Sequence, residues 1–291
     1  MGLREEIQQI AFASGEIDFF GVAPASRLSG APEGSRPTDI LPLTRSVISL
    51  GINLGLGMKM VNLIAYRSNP LAIYPYSSSQ IIAGQVLEHN AYRVARYLEK
   101  RGYQAVGIPT AAPADRLRLH GVLSHRHAAV AAGVGQFGLN GLVVNKEAGS
   151  MIRLVTVLTE AEIEPNPVDS GPSICLEAKC SLCIDGCPMN AFDRKQRESV
   201  TLDGKEFFYN RFLEWHCAFG SYGMRKATLG RKDCAMPEDP RPADFVAAVA
   251  EQDPFQKLEG GGAKCGQCQT LCPLGPPLRK TGRKPRALKT D

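Results

Sequence analysis

The fold of this chain is decided by residues 175–192, which read CLEAKCSLCIDGCPMNAF. The four cysteines in this stretch have the spacing C-x4-C-x2-C-x3-C-P, and a second stretch at residues 265–273, CGQCQTLCP, has the spacing C-x2-C-x3-C-P. Both stretches therefore end in Cys-Pro. Cysteines separated by such short gaps indicate a metal centre, because a tight loop can direct several thiolates at the same point.

The spacing is close to that of the bacterial [4Fe-4S] ferredoxin motif, C-x2-C-x2-C-x3-C-P, apart from a wider first gap. In proteins with two clusters, the fourth cysteine of each motif binds the other cluster. Two clusters need eight thiolates and the motifs contain seven, so the eighth is Cys217 or Cys234, which lie between the motifs. We prefer Cys217 because it follows the aromatic, helix-like segment FFYNRFLEW, whereas Cys234 lies in a polar segment bounded by proline. The first predicted cluster is bound by Cys175, Cys180, Cys183 and Cys272. The second is bound by Cys187, Cys217, Cys265 and Cys268.

A structural zinc site is the alternative interpretation of the same cysteines. Two C-x2-C pairs, Cys180 with Cys183 and Cys265 with Cys268, could supply its four ligands. This interpretation leaves both Cys-Pro cysteines without a role. The sequence therefore favours two clusters, and with them electron transfer.

The composition is that of a globular protein, with 291 residues of which 44% are hydrophobic. The net charge of +5 belongs to the end of the chain, because residues 279–291 contain six basic residues and one acidic residue, and the remainder contains 28 of each sign. We expect this basic tail to be disordered. We find no export signal and no apolar stretch of membrane length, so we predict a cytoplasmic protein without a membrane partner. In that reducing compartment the nine cysteines are not expected to form disulfides.

The first 165 residues alternate between helix-like and strand-like patterns. Strands are predicted in IDFFGVAP, RSVISLGINL, YQAVGIP, LVV and MIRLVTVLT, and a helix from about Ser124 to Ala132. A long helix is predicted after Ser79, its N-cap, and before Gly102, its stop signal, because apolar residues recur between them at spacings of three and four. We therefore predict an α/β or α+β domain over residues 1–165, a ferredoxin-like domain over residues 166–278, and the tail over residues 279–291.

A glycine-rich turn, GVGQFGLNG at residues 133–141, separates the shorter helix from the strands that follow. Its glycines let the backbone approach another group closely, and a coenzyme with a flat face is one candidate. The turn follows a helix and does not open one, so it is not a dinucleotide-binding fingerprint. A simple connection between two elements remains the alternative.

The run SHRHAAVAAGVGQFGLNGLVVNKEAGSMIRLVTVLT, followed by the cysteine motifs, resembles the core shared by epoxyqueuosine reductases and corrinoid-dependent reductive dehalogenases. Those families carry an AGLGWIGKN-like turn and a Gly-Ser step, and the counterparts here are AGVGQFGLN and Gly149-Ser150. DFFGVAP and LEKRGYQAVGIP also match, so the resemblance spans roughly residues 18–275.

This resemblance implies a nitroreductase-like domain that holds a cobalamin beside one [4Fe-4S] cluster, while electrons arrive through the other cluster. The chain lacks a D-x-H-x-x-G cobalamin motif, which suits this class. The residues that the resemblance assigns to cofactor binding lie in the helix, the turn and the following step: Ser124, His125, Gly133, Gly135, Gly138, Asn140, Gly141 and Ser150.

One departure concerns the proton donor. Epoxyqueuosine reductases have an aspartate shortly before the glycine turn, but between Asp115 and Glu147 this sequence has no carboxylate, so a tRNA substrate is not expected. Four other side chains of suitable chemistry are available near the predicted site, two of them tyrosines, the donor type of reductive dehalogenases. They are His120, His127, Tyr74 and Tyr76. If the stretch HGVLSHRH is helical, His120 and His127 lie on one face.

We therefore predict a cytoplasmic iron-sulfur oxidoreductase that uses cobalamin to reduce an electrophilic small molecule, with a ferredoxin or flavodoxin as electron donor. The alternative is an electron-transfer protein, or an activator of another protein's corrinoid, without substrate chemistry of its own. A flavin in place of the corrinoid is a third interpretation. Fold alone does not decide among them.

Overall fold

The computed structural model describes residues 2–110, 117, 119–175, 179–254 and 265–275. The predicted basic tail at residues 279–291 lies outside the described residues. Helices and strands are both present, and the paired strands are antiparallel throughout the described residues. The prediction of a layered mixture of helices and strands is confirmed, and the antiparallel pairing makes it α+β.

The central sheet has four strands in the order β1, β2, β6, β3. These are β1 (Phe19–Pro24), β2 (Ser46–Asn53), β3 (Ala105–Ile108) and β6 (Ile152–Thr159). In the middle of the sheet Ile48 lies opposite Val22 on one side and Val157 on the other. All four strands arise from segments that the sequence predicts as strands.

Helices cover both faces of this sheet, which is why six of the eight residues of β2 and seven of the eight residues of β6 are buried. On one face Ile48 and Leu50 pack with α1 (Leu3–Phe12) and α4 (Ile73–Lys100). On the other face Val47 and Leu158 pack with α5 (His125–Ala131). Successive side chains of a strand point to opposite faces, so a single strand contributes to both cores.

The long helix α4 begins six residues before the predicted N-cap, Ser79, which lies inside the helix. Pro75 lies in the first turn of the observed helix. Proline is tolerated in the first turn of a helix, because the N–H that it lacks has no partner there. The end is as predicted, since the helix stops at Lys100 and Gly102 has a φ of +89°.

Two shorter helices and a small strand pair complete the first part of the chain. They are α2 (Pro37–Ile40), α3 (Gly55–Arg67), β4 (Gln136–Phe137) and β5 (Val143–Val144). The sequence did not predict α3, which starts at Gly55 with a φ of +78°. The predicted helix near Ser124 is confirmed as α5, with the Ser124 side chain accepting a hydrogen bond from the His127 N–H at its N-terminus.

Between the two cysteine motifs the chain forms a hairpin followed by two helices. The elements of this second part are α6 (Leu182–Asp185), β7 (Phe192–Leu202), β8 (Lys205–Phe212), α7 (Glu214–Ser221), α8 (Pro242–Glu251) and α9 (Gln267–Thr270). The prediction that FFYNRFLEW is helix-like is wrong for its first six residues, which lie in β8. Phe207 and Tyr209 are buried while Phe208 is 52% exposed, the alternation of a strand. Asp203 and Gly204 both have positive φ, as the turn of a two-residue hairpin requires.

The hairpin packs on the first part of the chain. Phe207 and Tyr209 join the core of α5 and β4, with the Phe137 and Tyr209 rings 5.0 Å apart. Contacts therefore cross the predicted domain boundary near residue 165, and the boundary itself stays a prediction. In the described part of the chain no helix is both long enough and apolar enough to cross a bilayer.

Candidate metal centre and buried polar site

The first group of thiols combines three cysteines of the first motif with one of the second. Burial raises the pKa of Cys183 to about 12, and the neighbouring thiols of Cys175, Cys272 and Cys180 add to the rise. Burial also raises the pKa of Cys175, and the neighbouring thiols of Cys272 and Cys180 add to the rise. The group has the membership predicted for the first cluster.

The second group combines the last cysteine of the first motif with Cys217 and two cysteines of the second motif. Burial raises the pKa of Cys217 to about 12, and the thiols of Cys265 and Cys187 add to it. Burial likewise raises the pKa of Cys268, and the thiols of Cys217, Cys265 and Cys187, and also that of Cys183 from the first group, add to the rise. The two groups adjoin, since Cys183 and Cys268 belong to one apolar cluster.

Cys234 has a different environment. Its side chain is 1% exposed and lies in the small core with Phe219, Met224 and Ala248, at whose edge Cys187 and Cys217 also pack. The charged groups around the Cys234 thiol are those of Lys232, Glu251, Arg225 and Asp233, and no cysteine is among them. Of the two candidates for the eighth ligand, Cys217 is therefore the cysteine whose thiol faces the thiols of the second group.

The chemistry of both groups fits iron-sulfur clusters. Backbone N–H groups are directed at two of the sulfurs, from Leu139 to Cys175 Sγ at 3.4 Å and from Ala191 to Cys187 Sγ at 3.3 Å. Such hydrogen bonds adjust the potential of a cluster. Among the described residues no three His, Cys, Asp or Glu side chains converge on a point that a single metal ion could occupy. In a cubane each thiolate binds a different iron atom.

Side chains from the first part of the chain donate hydrogen bonds to backbone carbonyls of the second cysteine motif. On α3, Lys59 Nζ donates to the Cys272 carbonyl at 2.6 Å and Asn62 Nδ2 donates to the Cys265 carbonyl at 2.9 Å. Asn140 donates to the Cys268 carbonyl at 3.0 Å. Ser150 Oγ donates to the Gln269 carbonyl at 2.8 Å. Asn140 and Ser150, predicted to bind a cofactor, therefore hold the loop that carries Cys265 and Cys268.

The glycine turn approaches the protein's own chain closely. A Cβ on Gly133 would lie 2.4 Å from the Pro167 carbonyl oxygen, and a Cβ on Gly135 would lie 2.5 Å from that of Val144. Gly138 and Gly141 are similarly crowded, by Val144 and by Arg126. Tight packing within the protein is thus sufficient reason for glycine here, and the role of the turn in binding a cofactor stays a prediction.

A cavity of about 470 Å³ lies beside this turn. Its lining includes Gly133, Gly135 and four charged residues, which are Asp18, Lys146, Glu147 and Asp169. Pockets of ~300–1,000 Å³ with mainly apolar linings hold drug-sized ligands, and a corrinoid is considerably larger than these. This cavity therefore does not fit a corrinoid.

The two histidines predicted as proton donors differ in their exposure and partners. His120 is exposed, and its Nε2 lies 3.8 Å from Glu214 Oε1. His127 is buried between Ser124 Oγ, 2.7 Å from Nδ1, and the Tyr209 hydroxyl, 3.3 Å from Nε2. Burial lowers the pKa of His127 to about 4, so its ring is neutral at pH 7. Because α5 begins at His125, the expectation of a helix face shared by His120 and His127 is wrong.

His125 is positioned by the central sheet. Its Nδ1 lies 2.8 Å from Thr156 Oγ1 on β6, and its Nε2 lies 3.0 Å from the Pro109 carbonyl oxygen. Burial lowers the pKa of His125. Both ring nitrogens have partners in the protein, so the arrangement itself accounts for a neutral, fixed ring.

The two candidate tyrosines differ in burial. Tyr74 is 47% exposed, whereas Tyr76 is 1% exposed. The Tyr76 hydroxyl accepts a hydrogen bond from Gln80 Nε2 at 2.9 Å and donates to Gln269 Oε1 at 3.3 Å. Burial raises the pKa of Tyr76, and the thiols of Cys268 and Cys265 add to the rise. Tyr76 is therefore a protonated phenol beside the second thiol group.

Arg153 on β6 completes this buried polar site, which we define as Tyr76, Gln80, Arg153 and Gln269. Arg153 Nη1 donates to Gln80 Oε1 at 2.9 Å, while its Nε is buried and has no hydrogen-bond partner. Burial lowers the pKa of Arg153. Arg153 was not among the predicted site residues. A charged residue inside the mostly apolar strand MIRLVTVLT was nevertheless a usable signal of a functional position.

No family model matches the chain. Two kinds of curated relatives match its sequence. The epoxyqueuosine reductase of Gloeobacter violaceus is 27% identical over 155 residues, which cover 53% of this chain and 37% of that protein. The tetrachloroethene reductive dehalogenase of Dehalobacter restrictus is 30% identical over 132 residues, which cover 43% of this chain and 21% of that protein. The matches thus span less than half the length of these relatives.

Solved structures of both kinds share the fold. A structure of epoxyqueuosine reductase with an epoxyqueuosine-modified tRNA stem loop has a TM-score of 0.51 at 18% identity, covering 93% of this chain and 64% of its own. A reductive dehalogenase structure, described as suggesting a mechanism for B12-dependent dehalogenation, has a TM-score of 0.54 at 16% identity. It covers 91% of this chain and 37% of its own.

The relatives of both kinds are named reductases, which supports the prediction of an oxidoreductase. The structural likeness by itself concerns the fold, because the identities are low. The sequence matches confirm the predicted resemblance of this chain to the epoxyqueuosine reductases and reductive dehalogenases.

Proposed function

We propose that this chain is an iron-sulfur reductase in which two [4Fe-4S] clusters deliver electrons to the buried polar site. One observation supports the proposal: the thiols of both cysteine motifs and of Cys217 are neighbours of one another, and those of Cys265 and Cys268 lie beside Tyr76. An ordinary structural metal site would not need a buried tyrosine and a buried arginine beside it. Perturbed ionisable groups of this kind mark functional sites.

The first cluster is held by the first thiol group and the second by the second group, with Cys217 as the eighth ligand. When bound, the clusters supply one-electron transfer at low potential. The chain contributes a rigid setting, because Lys59 and Asn62 on α3 fix the carbonyls at both ends of the second motif. Holding ligands in place reduces the reorganisation that accompanies electron transfer. The zinc alternative would pair Cys180 and Cys183 with Cys265 and Cys268, a division that cuts across both thiol groups.

Tyr76 is the proton donor that we propose for the reaction. Its phenol stays protonated at neutral pH, because burial raises its pKa. Arg153 places a positive charge next to it through Gln80, and its unpartnered Nε is available to a substrate. A fixed cation of this kind stabilises negative charge that develops on a substrate during reduction. Reduction of a carbon–halogen bond takes two electrons from the donor and one proton from Tyr76, forms a C–H bond and releases halide. Removal of an epoxide oxygen takes a second proton from water and releases that oxygen as water.

The electron donor that suits this arrangement is a ferredoxin or flavodoxin, since one-electron carriers match one-electron clusters. The substrate class is a small electrophilic molecule. A tRNA substrate is less suitable, because the stretch before the glycine turn has no carboxylate to act as proton donor.

A corrinoid is the cofactor that the B12-dependent relative suggests. The cavity beside the glycine turn does not fit one, so we derive no step through cobalt. Cobalamin binding at another place on the chain is tested by measuring bound cobalt. A flavin in its place would be recognised by its visible band.

The experiment uses protein purified and reconstituted without oxygen, reduced by ferredoxin, and given a panel of halogenated aromatics and epoxides, in parallel with and without cobalamin. We expect Tyr76→Phe to lower the rate of product formation by about 100-fold, the contribution of a positioned general acid. Iron content should be unchanged. Tyr92→Phe is the matched control, because Tyr92 lies on the same helix and is 62% exposed. Equal rates for Tyr76→Phe and wild type would contradict the assigned donor. Two clusters without turnover of any substrate would favour the electron-transfer protein.

A further inference from the structure

Tyr66 is a half-buried side chain that the proposed reaction does not use. It lies on α3, four residues after Asn62 and seven after Lys59, so the three side chains occupy one face of the helix. The other two bind the carbonyls of Cys265 and Cys272. This face of α3 is therefore the side of the helix that meets the second cysteine motif.

The Tyr66 hydroxyl is buried and makes no hydrogen bond of ordinary geometry with the described residues. Its closest electrostatic neighbours include the thiols of Cys265 and Cys187. Burial raises the pKa of the Cys265 thiol, and the nearby Tyr66 hydroxyl opposes that rise. Leaving a buried hydroxyl without a full partner costs about 1–3 kcal/mol. Its neighbours indicate that a sulfur acceptor belongs there.

We propose that Tyr66 is a positioning residue that donates a hydrogen bond to a sulfur of the second [4Fe-4S] cluster and thereby raises the reduction potential of that cluster. This inference rests on the proposed two-cluster function. A hydrogen bond to a cluster sulfur stabilises the more negative, reduced state, and so favours the arrival of an electron. The result is that the cluster beside Tyr76 is the electron acceptor within the pair.

The test is a potentiometric titration of Tyr66→Phe, followed by electron paramagnetic resonance. The signal of the second cluster is identified as the one that Cys217→Ala lacks. At a fixed ambient potential we expect the ratio of reduced to oxidised second cluster to fall about tenfold, equivalent to about 59 mV for one electron. The first cluster should be unaffected. Tyr92→Phe, which removes an exposed hydroxyl, should leave both ratios unchanged.

An unchanged potential in Tyr66→Phe would overturn the inference. If Tyr66→Phe loses the second cluster, its potential cannot be compared, and Tyr66→Gln is used instead. The glutamine side-chain amide restores a hydrogen-bond donor at this position. Retention of the cluster in Tyr66→Gln supports the hydrogen bond, and loss in both variants overturns it in favour of a packing role. Failure of the wild type to assemble two clusters would instead refute the proposed function, so the two failures are distinguishable.

Discussion

Alanine substitutions at Cys217 and Cys234 distinguish the cysteine that binds a cluster from a buried cysteine that binds no metal. Both side chains are small thiols near the same apolar core, and the chain offers them as a matched pair. The Cys217 thiol has Cys265 and Cys187 as neighbours, whereas the Cys234 thiol has the charged groups of Lys232 and Glu251. Only the first exchange should remove a cluster ligand.

The expected magnitude follows from the stoichiometry. Two cubanes hold about eight irons, so Cys217→Ala should retain about four and lose the signal of one cluster. Cys234→Ala should retain about eight. Because Cys234 is 1% exposed, removing its sulfur leaves a small void and should lower the free energy of unfolding by about 1 kcal/mol.

The assay is iron and acid-labile sulfide per chain after reconstitution without oxygen, together with a urea titration of each variant. Full iron in Cys217→Ala with loss in Cys234→Ala would refute the assignment of the eighth ligand. Full iron in both variants would refute the crossed two-cluster arrangement itself.

Two further predictions concern pH and packing. Because burial lowers the pKa of His127 from 6.5 to about 4, the unfolded chain binds a proton that the folded chain excludes, and stability falls as the pH drops through this range. The loss should be about 2 kcal/mol near pH 5 in urea titrations, and His127→Gln should abolish that component; an equal loss in the variant would contradict the assignment. Gly266→Ala should reduce bound iron, because a Cβ there would lie 1.9 Å from the Tyr76 hydroxyl. Gly34→Ala, also at positive φ but with open space around it, should keep its iron, and equal iron in both variants would argue against the close contact.

The elements that the sequence predicts well are those with a strong local pattern. The four strands of the central sheet lie in short segments rich in apolar and β-branched residues, and α4 carries a regular apolar face whose end is marked by Gly102. Aromatic residues misled the prediction around Phe207 and Phe208, because a cluster of rings fits a helix or a strand and only the alternation of burial distinguishes them. The Asp203-Gly204 turn was the local signal for the hairpin.

The site depends on contacts between distant parts of the chain, which local patterns do not reveal. The cysteine motifs stand out by spacing, and the assignment of each cysteine to one of two clusters stays a prediction. The side chains that hold the second cysteine motif do not stand out in the sequence. Asn62 donates its hydrogen bond to the carbonyl of Cys265, 203 residues further along the chain, and it lies on a helix with glycines in its first turn. Tyr76 was one of four candidate donors, and its burial beside the second thiol group distinguishes it from the exposed Tyr74.

The most direct test of the account is the metal content of wild-type protein, purified without oxygen, supplied with cobalamin and desalted. The account predicts about eight irons per chain, with the absorption and paramagnetic signals of two [4Fe-4S] clusters. About one cobalt per chain in the same sample would add the corrinoid, and none would leave an iron-sulfur reductase without it. A single zinc ion in place of iron, or about four irons, would contradict the two-cluster claim.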